Sequence, residues 1–307
     1  MNIGHKFNSL RQTTISDASL SFMKLPEPQN LLENWKLQEF PQPEVVQVKH
    51  PILLCHGFGA MVSIVKPSPM HDVCMHMRSH GVLSFAPNIV PYATIETRSL
   101  EWVKRIQELK ERFKFEKLNI IAHSMSGLDM RYAIAHTDVH KDVASLTTLA
   151  TPHHGASLAE FVLKTPDTFR EKLAELFNWF GNSIYPKSRS DAVGALEQLT
   201  RDYVTGTFNK ECPNRENIAY FSYSAAVGKG TEHPLNPLYK FQNQYIFDQE
   251  GPNDSFVSDS SARWGVHISS VNLSHLEQIK FTLSKERSPI FDQFWYDVLR
   301  NLSIHGY

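Results

Sequence analysis

Residues 118–128 read Leu-Asn-Ile-Ile-Ala-His-Ser-Met-Ser-Gly-Leu, an apolar run that ends in small residues around Ser124. When a strand turns sharply into a helix, the residue at the tip adopts a strained backbone conformation, and bulky side chains two positions away would clash. Ala122 and Ser126 occupy those two positions, and both are small. The pattern therefore predicts a strand, a tight turn and a helix, with Ser124 as a candidate nucleophile. A structural turn without chemistry is the alternative.

Apolar runs of strand length recur on both sides of this stretch, at residues 51–55, 82–85, 143–149, 218–226 and 264–268. Apolar residues at helical spacing fall between and after them, at 99–115, 128–135 and 289–302. Strands that alternate with helices favour a parallel sheet whose faces are covered by the helices. We interpret residues 227–251, which are rich in Pro and Gln, as a loop.

The first of these strands ends in His56-Gly57-Phe58-Gly59. Ligands of parallel sheets bind at the carboxyl ends of the strands, and glycine there lets backbone N–H groups turn toward a ligand. The amides of Phe58 and Met125 are therefore the candidate donors of an oxyanion hole. Taken alone, the His-Gly motif is equally typical of a turn that ends a strand.

A serine nucleophile needs a base to take its proton, and the base needs an acid to orient it. In hydrolases with this kind of turn, the chain order is Ser, acid, His. Asp254 and His275 lie in turns after the last two predicted strands, and we select them as acid and base. The alternatives are Asp248 or Asp259 for the acid and His267 for the base. His267 lies within an apolar run, and Asp259 is flanked by serines as in a solvated turn or helix cap.

Composition limits the class of protein. The chain has 307 residues, with 31 Lys and Arg against 32 Asp and Glu, so its formal net charge is −1. Nucleic acid is not an expected partner, because there is no basic excess to attract it. Hydrophobic residues make up 41% of the chain, which supplies a core and excludes disorder over most of its length. No apolar run approaches the roughly 18 residues of a membrane span, so we expect a soluble protein.

The N-terminal part and the cysteines bear on the compartment. Residues 1–44 are polar and interrupted by proline, so we expect a poorly ordered lead-in before one domain at 45–307. The beginning of the chain lacks the apolar core of a secretory signal. The cysteines are too few for a disulfide framework, although one disulfide stays open: Cys55, Cys74 and Cys212. We expect an intracellular, cytoplasmic protein, and the basic residues Lys6 and Arg11 leave a mitochondrial location as the alternative.

After Gly155, no further apolar run of strand length occurs for about sixty residues, so the alternation of strands and helices stops there. An amphipathic helix is predicted within this insertion, because five apolar residues follow helical spacing: Phe169, Leu173, Leu176, Phe177 and Phe180.

Together these residues resemble a known family, the α/β-hydrolase true lipases, in particular the bacterial triacylglycerol lipases and related fungal mitochondrial-type lipases. The resemblance covers about residues 48–285. It rests on His56-Gly57-Phe58-Gly59, residues 121–132, Thr151-Pro152-His153-His154-Gly155, Leu199-Thr200, Phe208-Asn209, Asn253-Asp254 and His275-Leu276-Glu277.

The resemblance implies an α/β-hydrolase fold, with a mostly parallel sheet, helices on both faces and a helical lid insertion at about 156–190. It implies Ser124 as nucleophile, Asp254 as acid and His275 as base. The amides of Phe58 and Met125 would form the oxyanion hole. In this chain Ala122 and Ser126 stand where most relatives carry glycine, and both side chains are small enough for the turn.

Metal binding is the second departure from the family. Bacterial relatives hold a calcium ion with two aspartates, and this chain has Glu277 at the second position and Tyr239 at the first. One carboxylate is therefore missing, and we expect no cofactor, with calcium as the alternative. A separate polar cluster lacks the spacing of a zinc site and is equally typical of a solvated helix face: His71, Asp72, Cys74, His76 and His80.

We expect a serine hydrolase that cleaves carboxylic esters of acylglycerols through an acyl-enzyme intermediate. A carboxylesterase, phospholipase or thioesterase is the alternative, because the shape of the pocket and not the triad selects the substrate. A non-catalytic lipid-binding protein is a third interpretation, since a fold does not dictate function. The expected partners are the ester substrate and, transiently, a lipid interface. The sequence does not define an oligomeric state.

Overall fold

A computed structural model describes residues 43–59, 67–166 and 190–307 of the chain. In these ranges the sheet comprises β1 (Ile52–Cys55), β2 (Ser84–Phe85), β3 (Leu118–His123), β4 (Val143–Leu149), β5 (Ala219–Ala225) and β6 (Val266–Val271). Every neighbouring pair is parallel, in the spatial order β2-β1-β3-β4-β5-β6. The parallel sheet predicted from the alternation is confirmed.

Seven longer helices lie in the described ranges: α1 (His71–Ser79), α2 (Ile95–Phe113), α3 (Ser126–His136), α4 (Ser157–Leu163), α5 (Ala192–Glu197), α6 (Lys240–Glu250) and α7 (Ser288–Ile304). Several short helical turns accompany them, among them Pro237–Tyr239, Glu277–Ile279 and Lys285–Arg287. Within these ranges, no helix is both long and apolar enough to cross a membrane.

Two hydrophobic layers cover the two faces of the sheet. Side chains along a strand point alternately to opposite faces, so β1 contributes Ile52 to one layer and Leu53 to the other. The first layer includes Trp295 of α7, and the second includes Trp102 of α2. Both faces of the sheet are covered, which explains why every residue of the central strands β1, β3 and β4 is buried. Helices on both faces are confirmed.

The sequence expectations differ from the structure at several elements. β6 begins at Val266 and not at residue 264, and of its six residues only Val271 is buried because it is an edge strand. The loop predicted at 227–251 is wrong, since α6 occupies its second half. Only Asn243 and Ile246 of that helix are buried, so its sequence carries no apolar periodicity.

Three expectations fall partly or wholly on residues that the structure does not describe. The amphipathic helix at 169–180 lies outside the described residues, as does most of the lid insertion expected at 156–190. The lead-in expected at 1–44 lies outside them up to residue 42. All three cysteines are described, and they are buried and unpaired, so the single disulfide left open above is not formed.

Candidate active site

The predicted tight turn connects β3 to α3, and Ser124 lies at its tip. Ser124 has a φ of +61°, in the left-handed region that non-glycine residues seldom adopt. The turn is held in place by the end of β4 and the residues after it. The Ser124 amide donates to the carbonyl oxygen of Leu149 at 2.9 Å, and the Thr151 hydroxyl donates to the Ser124 carbonyl oxygen at 2.7 Å. These contacts stabilise a strained conformation typical of exposed nucleophiles.

The end of β1 approaches this turn closely at Gly57. A Cβ atom on Gly57 would lie 2.5 Å from the Cβ atom of Ser124 and 3.0 Å from its Oγ. No side chain fits in that space, so glycine is required there by the proximity of the two strand ends.

Ser126, where most relatives of the resembled family carry glycine, is buried in the same region. Its hydroxyl lies 2.8 Å from the carbonyl oxygen of Cys55 and 2.8 Å from that of His123. The side chain therefore does more than fit the turn, because it can donate to the ends of both β1 and β3.

The predicted acid and base are in direct contact. His275 Nδ1 lies 2.7 Å from Asp254 Oδ2, and the His275 amide donates to the Asp254 carbonyl oxygen at 3.0 Å. The other carboxylate oxygen, Oδ1, accepts from the amides of Phe256 at 3.0 Å and Val257 at 2.9 Å.

Asp254 is ionised in this environment. Burial alone would raise the pKa of the Asp254 carboxyl, but His275 and the two amides outweigh it, so the pKa lies below its usual value. An ionised Asp254 accepts a hydrogen bond from Nδ1–H of His275. Nε2 of the imidazole then carries the lone pair that a general base needs.

The alternative acids and base do not share this contact. Asp248 is exposed and pairs with Lys229, and Asp259 accepts from Ser224 and pairs with Arg263. His267 lies on β6, with Nδ1 at 3.3 Å from the Ser222 hydroxyl. The structure brings together Asp254 and His275, the pair selected from the sequence.

Gln278 and His123 join this pair, and the sequence argument assigned neither of them a role. Gln278 Nε2 donates to Asp254 Oδ2 at 2.9 Å, and its Oε1 lies 3.0 Å from His123 Nε2. Burial, with the nearby His275, lowers the pKa of His123 to about 3, so this imidazole is neutral and its Nε2–H can donate to Gln278. His123 directly precedes Ser124, and Gln278 lies three residues after His275. This closeness in sequence to predicted site residues was the one sign that they belong to the site.

Aromatic rings surround the base. The ring of His123 lies 4.5 Å from that of His275, and Phe256 stacks on His275 at 4.9 Å. Packing of this kind restricts the rotation of the imidazole.

Ser124 and His275 line one cleft, together with His56, Gly57, Phe58 and Leu276 among others. In the part of the chain that the structure describes, no hydrogen bond joins the Ser124 hydroxyl to His275. Hydrogen bonds between catalytic groups are often loose without substrate and tighten when it binds.

The two predicted oxyanion donors come from different elements. Phe58 follows Gly57 after β1 and lines the cleft, whereas Met125 directly follows Ser124 and precedes the first residue of α3. Backbone N–H groups at the beginning of a helix lack intrahelical acceptors and carry partial positive charge. The Met125 amide is therefore suited to receive developing negative charge, and Phe58 lines the same cleft from the loop after β1.

A fully buried ion pair, not predicted from the sequence, connects the loop after β1 to α3. Arg98 Nε donates to Asp129 Oδ2 of α3 at 2.8 Å, and both side chains have 0% exposure. The same guanidinium donates to the carbonyl oxygens of His56 at 2.7 Å and Val90 at 2.9 Å. Burial raises the pKa of Asp129 to about 6 despite the pairing. Arg98 thus fixes the loop after β1 against the helix that follows Ser124.

The residues present do not fit the calcium ion of the resembled family. The Glu277 carboxylate binds Arg287 and Ser274, and the Tyr239 ring packs against Phe256 at 6.2 Å. Among the described residues, no group of three or more His, Cys, Asp and Glu side chains could hold a metal ion, and this includes the cluster between His71 and His80.

The chain resembles known proteins in sequence. A family described as alpha/beta hydrolase fold matches residues 50–264. Triacylglycerol lipase 2 of Saccharomyces cerevisiae is 29% identical over 211 residues, which cover 67% of this chain and 60% of the yeast protein. The triacylglycerol lipase of Pseudomonas fragi is 27% identical over 263 residues, which cover 76% of this chain and 89% of the bacterial protein.

Solved structures resemble it in fold. A metagenomic carboxyl esterase superposes with a TM-score of 0.64 at 18% identity, covering 88% of this chain and 79% of the esterase. The mature form of a Bacillus licheniformis lipase superposes with a TM-score of 0.56 at 19% identity, covering 83% of this chain and 96% of the lipase.

Proposed function

Because the chain belongs to the alpha/beta hydrolase fold family, we propose that it cleaves carboxylic esters of acylglycerols, with Ser124 as nucleophile, Asp254 as acid and His275 as base. Relatives named triacylglycerol lipase in yeast and Pseudomonas fragi support hydrolysis of the lipase and esterase type. The observation that carries the proposal is the left-handed Ser124 in the same cleft as His275, whose imidazole is bound to the buried Asp254.

The proposed reaction has two halves, and the first forms an acyl-enzyme intermediate. Ser124 Oγ attacks the ester carbonyl carbon while His275 Nε2 takes its proton, and Asp254 holds the resulting imidazolium. The amides of Phe58 and Met125 donate to the carbonyl oxygen as it becomes an oxyanion. When the tetrahedral intermediate collapses, His275 returns the proton to the departing alcohol oxygen and leaves an acyl ester on Ser124.

The second half of the reaction repeats these roles with water. His275 removes a proton from a water molecule, the hydroxide attacks the acyl carbon, and the acid leaves as the proton returns to Ser124 Oγ. Each step needs only residues of the chain, the ester and water, so we propose that no metal or cofactor takes part.

The lipid contact expected from the sequence has a candidate surface, which we call the aromatic path. It begins at Leu238 and Phe241, which are 83% and 68% exposed and lie three residues apart. It continues through Tyr239 to Phe256, whose rings are 6.2 Å apart, and from Phe256 to His275. We propose that this path rests on a lipid surface, because acylglycerols reside there and the path is continuous with the base.

Substitution of the nucleophile tests the catalytic proposal. We would measure hydrolysis of p-nitrophenyl esters from short to long acyl chains, and of an emulsified triacylglycerol, by the wild type and Ser124→Ala. Ser79→Ala, on the exposed end of α1, is the matched control. We expect turnover by the wild type and the control and none by Ser124→Ala, with covalent labelling by a fluorophosphonate at Ser124.

Each other outcome has a definite meaning. If Ser124→Ala hydrolysed esters as fast as the wild type, the nucleophile would be a different residue. Turnover restricted to short, dissolved esters would favour the carboxylesterase alternative. Vesicle binding without turnover of any ester would favour the non-catalytic lipid-binding interpretation.

The aromatic path has its own test. Leu238→Ser and Phe241→Ser together should weaken co-sedimentation with phosphatidylcholine vesicles and slow hydrolysis of emulsified ester, with unchanged hydrolysis of dissolved ester. Leu100→Ser is the matched control, since Leu100 is 61% exposed on α2 and belongs to no such path. Equal effects of the control and the double variant would refute this surface.

A further inference from the structure

We infer that the guanidinium of Arg287 serves as a built-in cation that positions the base, in the place where the resembled lipases use a bound calcium ion. The inference rests on the proposed role of His275. It concerns the loop from residue 272 to residue 277, here called the base loop, which follows β6 and carries His275.

The Glu277 carboxylate closes the base loop on itself. Glu277 Oε2 accepts from both the amide and the hydroxyl of Ser274, each at 2.8 Å. Ser274 directly precedes His275, whose own amide is bound to the Asp254 carbonyl oxygen. The backbone on both sides of the Ser274–His275 peptide is therefore fixed by carboxylate and carbonyl acceptors.

Arg287 joins the two ends of this loop. Its Nε donates to Glu277 Oε1 at 2.7 Å and its Nη2 lies 3.3 Å from Glu277 Oε2. Nη2 also donates to the carbonyl oxygen of Asn272, at the beginning of the loop. One side chain thus holds the first and last residues of the base loop.

Arg287 itself is firmly anchored. It immediately precedes α7, whose Trp295 is fully buried and donates from its indole nitrogen to the Gln278 carbonyl oxygen at 3.0 Å. The side chains of Arg287 and Glu277 are only 14% and 12% exposed, so water competes little for the pair. The ion pair connects the base loop to a helix of the hydrophobic core.

The oxygens involved are those that a hard cation would take. Carboxylate and backbone carbonyl oxygens are the usual ligands of calcium, which requires six or more of them. Here two carboxylate oxygens and one carbonyl oxygen are satisfied by a planar guanidinium, which binds carboxylates in a bidentate manner. The first aspartate of the resembled calcium site is replaced by Tyr239, which packs on Phe256 instead. The positive charge is therefore covalently part of the chain.

The experiment compares Arg287→Ala with Arg287→Lys. The control is Arg263→Ala, which breaks another Arg–carboxylate pair, with Asp259, away from the base loop. We would measure kcat and KM on a dissolved ester, and the rate of fluorophosphonate labelling of Ser124, with and without EDTA, added calcium or millimolar guanidinium.

We expect the wild type to keep its full activity in EDTA. A misplaced catalytic group commonly costs up to a hundredfold in rate, so Arg287→Ala should lower kcat by about ten- to a hundredfold with KM little changed. Arg287→Lys should retain part of the activity, because it keeps the charge but not the bidentate geometry. Guanidinium should restore kcat in Arg287→Ala and leave Arg263→Ala unaffected.

Two results would overturn the inference. One is inactivation of the wild type by EDTA with recovery on adding calcium. The other is a loss of kcat in Arg287→Ala no larger than in Arg263→Ala. If Arg287→Ala does not fold, Glu277→Gln replaces it and should show a smaller loss of kcat in the same direction. Failure of the catalytic proposal is distinguishable, because Ser124→Ala would then remain active whatever the Arg287 variants do.

Discussion

Replacing Ser126 by glycine tests whether the tight turn tolerates a serine there or depends on it. Most relatives of the resembled family carry glycine at this position, so Ser126→Gly should be harmless if only size matters. The structure indicates the opposite, because the buried hydroxyl lies 2.8 Å from the carbonyl oxygens of Cys55 and His123. We expect the variant to fold less stably.

The magnitude follows from two contributions. Ser126→Ala removes one hydrogen bond from a buried site, which costs about 0.5–1.5 kcal/mol. Glycine at the start of α3 costs about 0.5–1 kcal/mol more than alanine through backbone entropy. Ser126→Gly should therefore lower the free energy of unfolding by about 1–2.5 kcal/mol, the sum of these two ranges.

Urea unfolding monitored by circular dichroism measures these differences. The loss of unfolding free energy should be smallest for the exposed control Ser79→Ala, larger for Ser126→Ala and largest for Ser126→Gly. The control should lie within about 0.5 kcal/mol of the wild type. The rate on a dissolved ester should change little, since the hydroxyl points to the strand ends and not into the cleft. If Ser126→Gly were as stable as the wild type or more stable, the reasoning would be refuted. Ser126 would then contribute nothing to the turn beyond its small size.

Three other perturbations have definite expected outcomes. Gly57→Ala should abolish ester hydrolysis, because its Cβ would lie 2.5 Å from that of Ser124, whereas Gly206→Ala, which meets no atom within 4 Å, should not; activity assays decide this. Asp254→Asn should lower kcat by about 10⁴-fold through the wrong imidazole tautomer. Because the pKa of Asp254 is lowered on folding, its contribution to stability is present above about pH 3.9 and is lost as the pH falls through the folded value. The difference in unfolding free energy between wild type and Asp254→Asn should therefore shrink in acid, and a constant difference would contradict this. Gln278→Leu should cost about 1–3 kcal/mol in urea unfolding, because buried partners are left unpaired.

The sequence predicted those parts of the molecule whose physical cause is local. The apolar runs of the central strands, and the small residues around Ser124, are each visible within a few positions. Asp254 and His275 could be selected because each lies in a turn after a predicted strand, and because they follow Ser124 in the chain order Ser, acid, His. Helix α6 was missed because it buries only Asn243 and Ile246 and so leaves no apolar stripe.

The residues that hold the site together were not predictable in this way. Arg98 binds backbone carbonyl oxygens and a carboxylate that are distant in sequence, at His56 and Asp129. Arg287 likewise binds the carbonyl oxygen of Asn272. Backbone acceptors exist at every residue, so residue types alone do not reveal which carbonyl an arginine will meet.

The buried pair of Arg98 and Asp129 also limits how this chain can change over evolutionary time. Losing either member alone leaves an uncompensated buried charge, which costs about 3–5 kcal/mol. A domain whose total stability is about 5–15 kcal/mol has little reserve for such an intermediate. Descendants of this chain should therefore keep both residues or lose both together, while Asp248 and Lys229, an exposed pair, are free to drift independently.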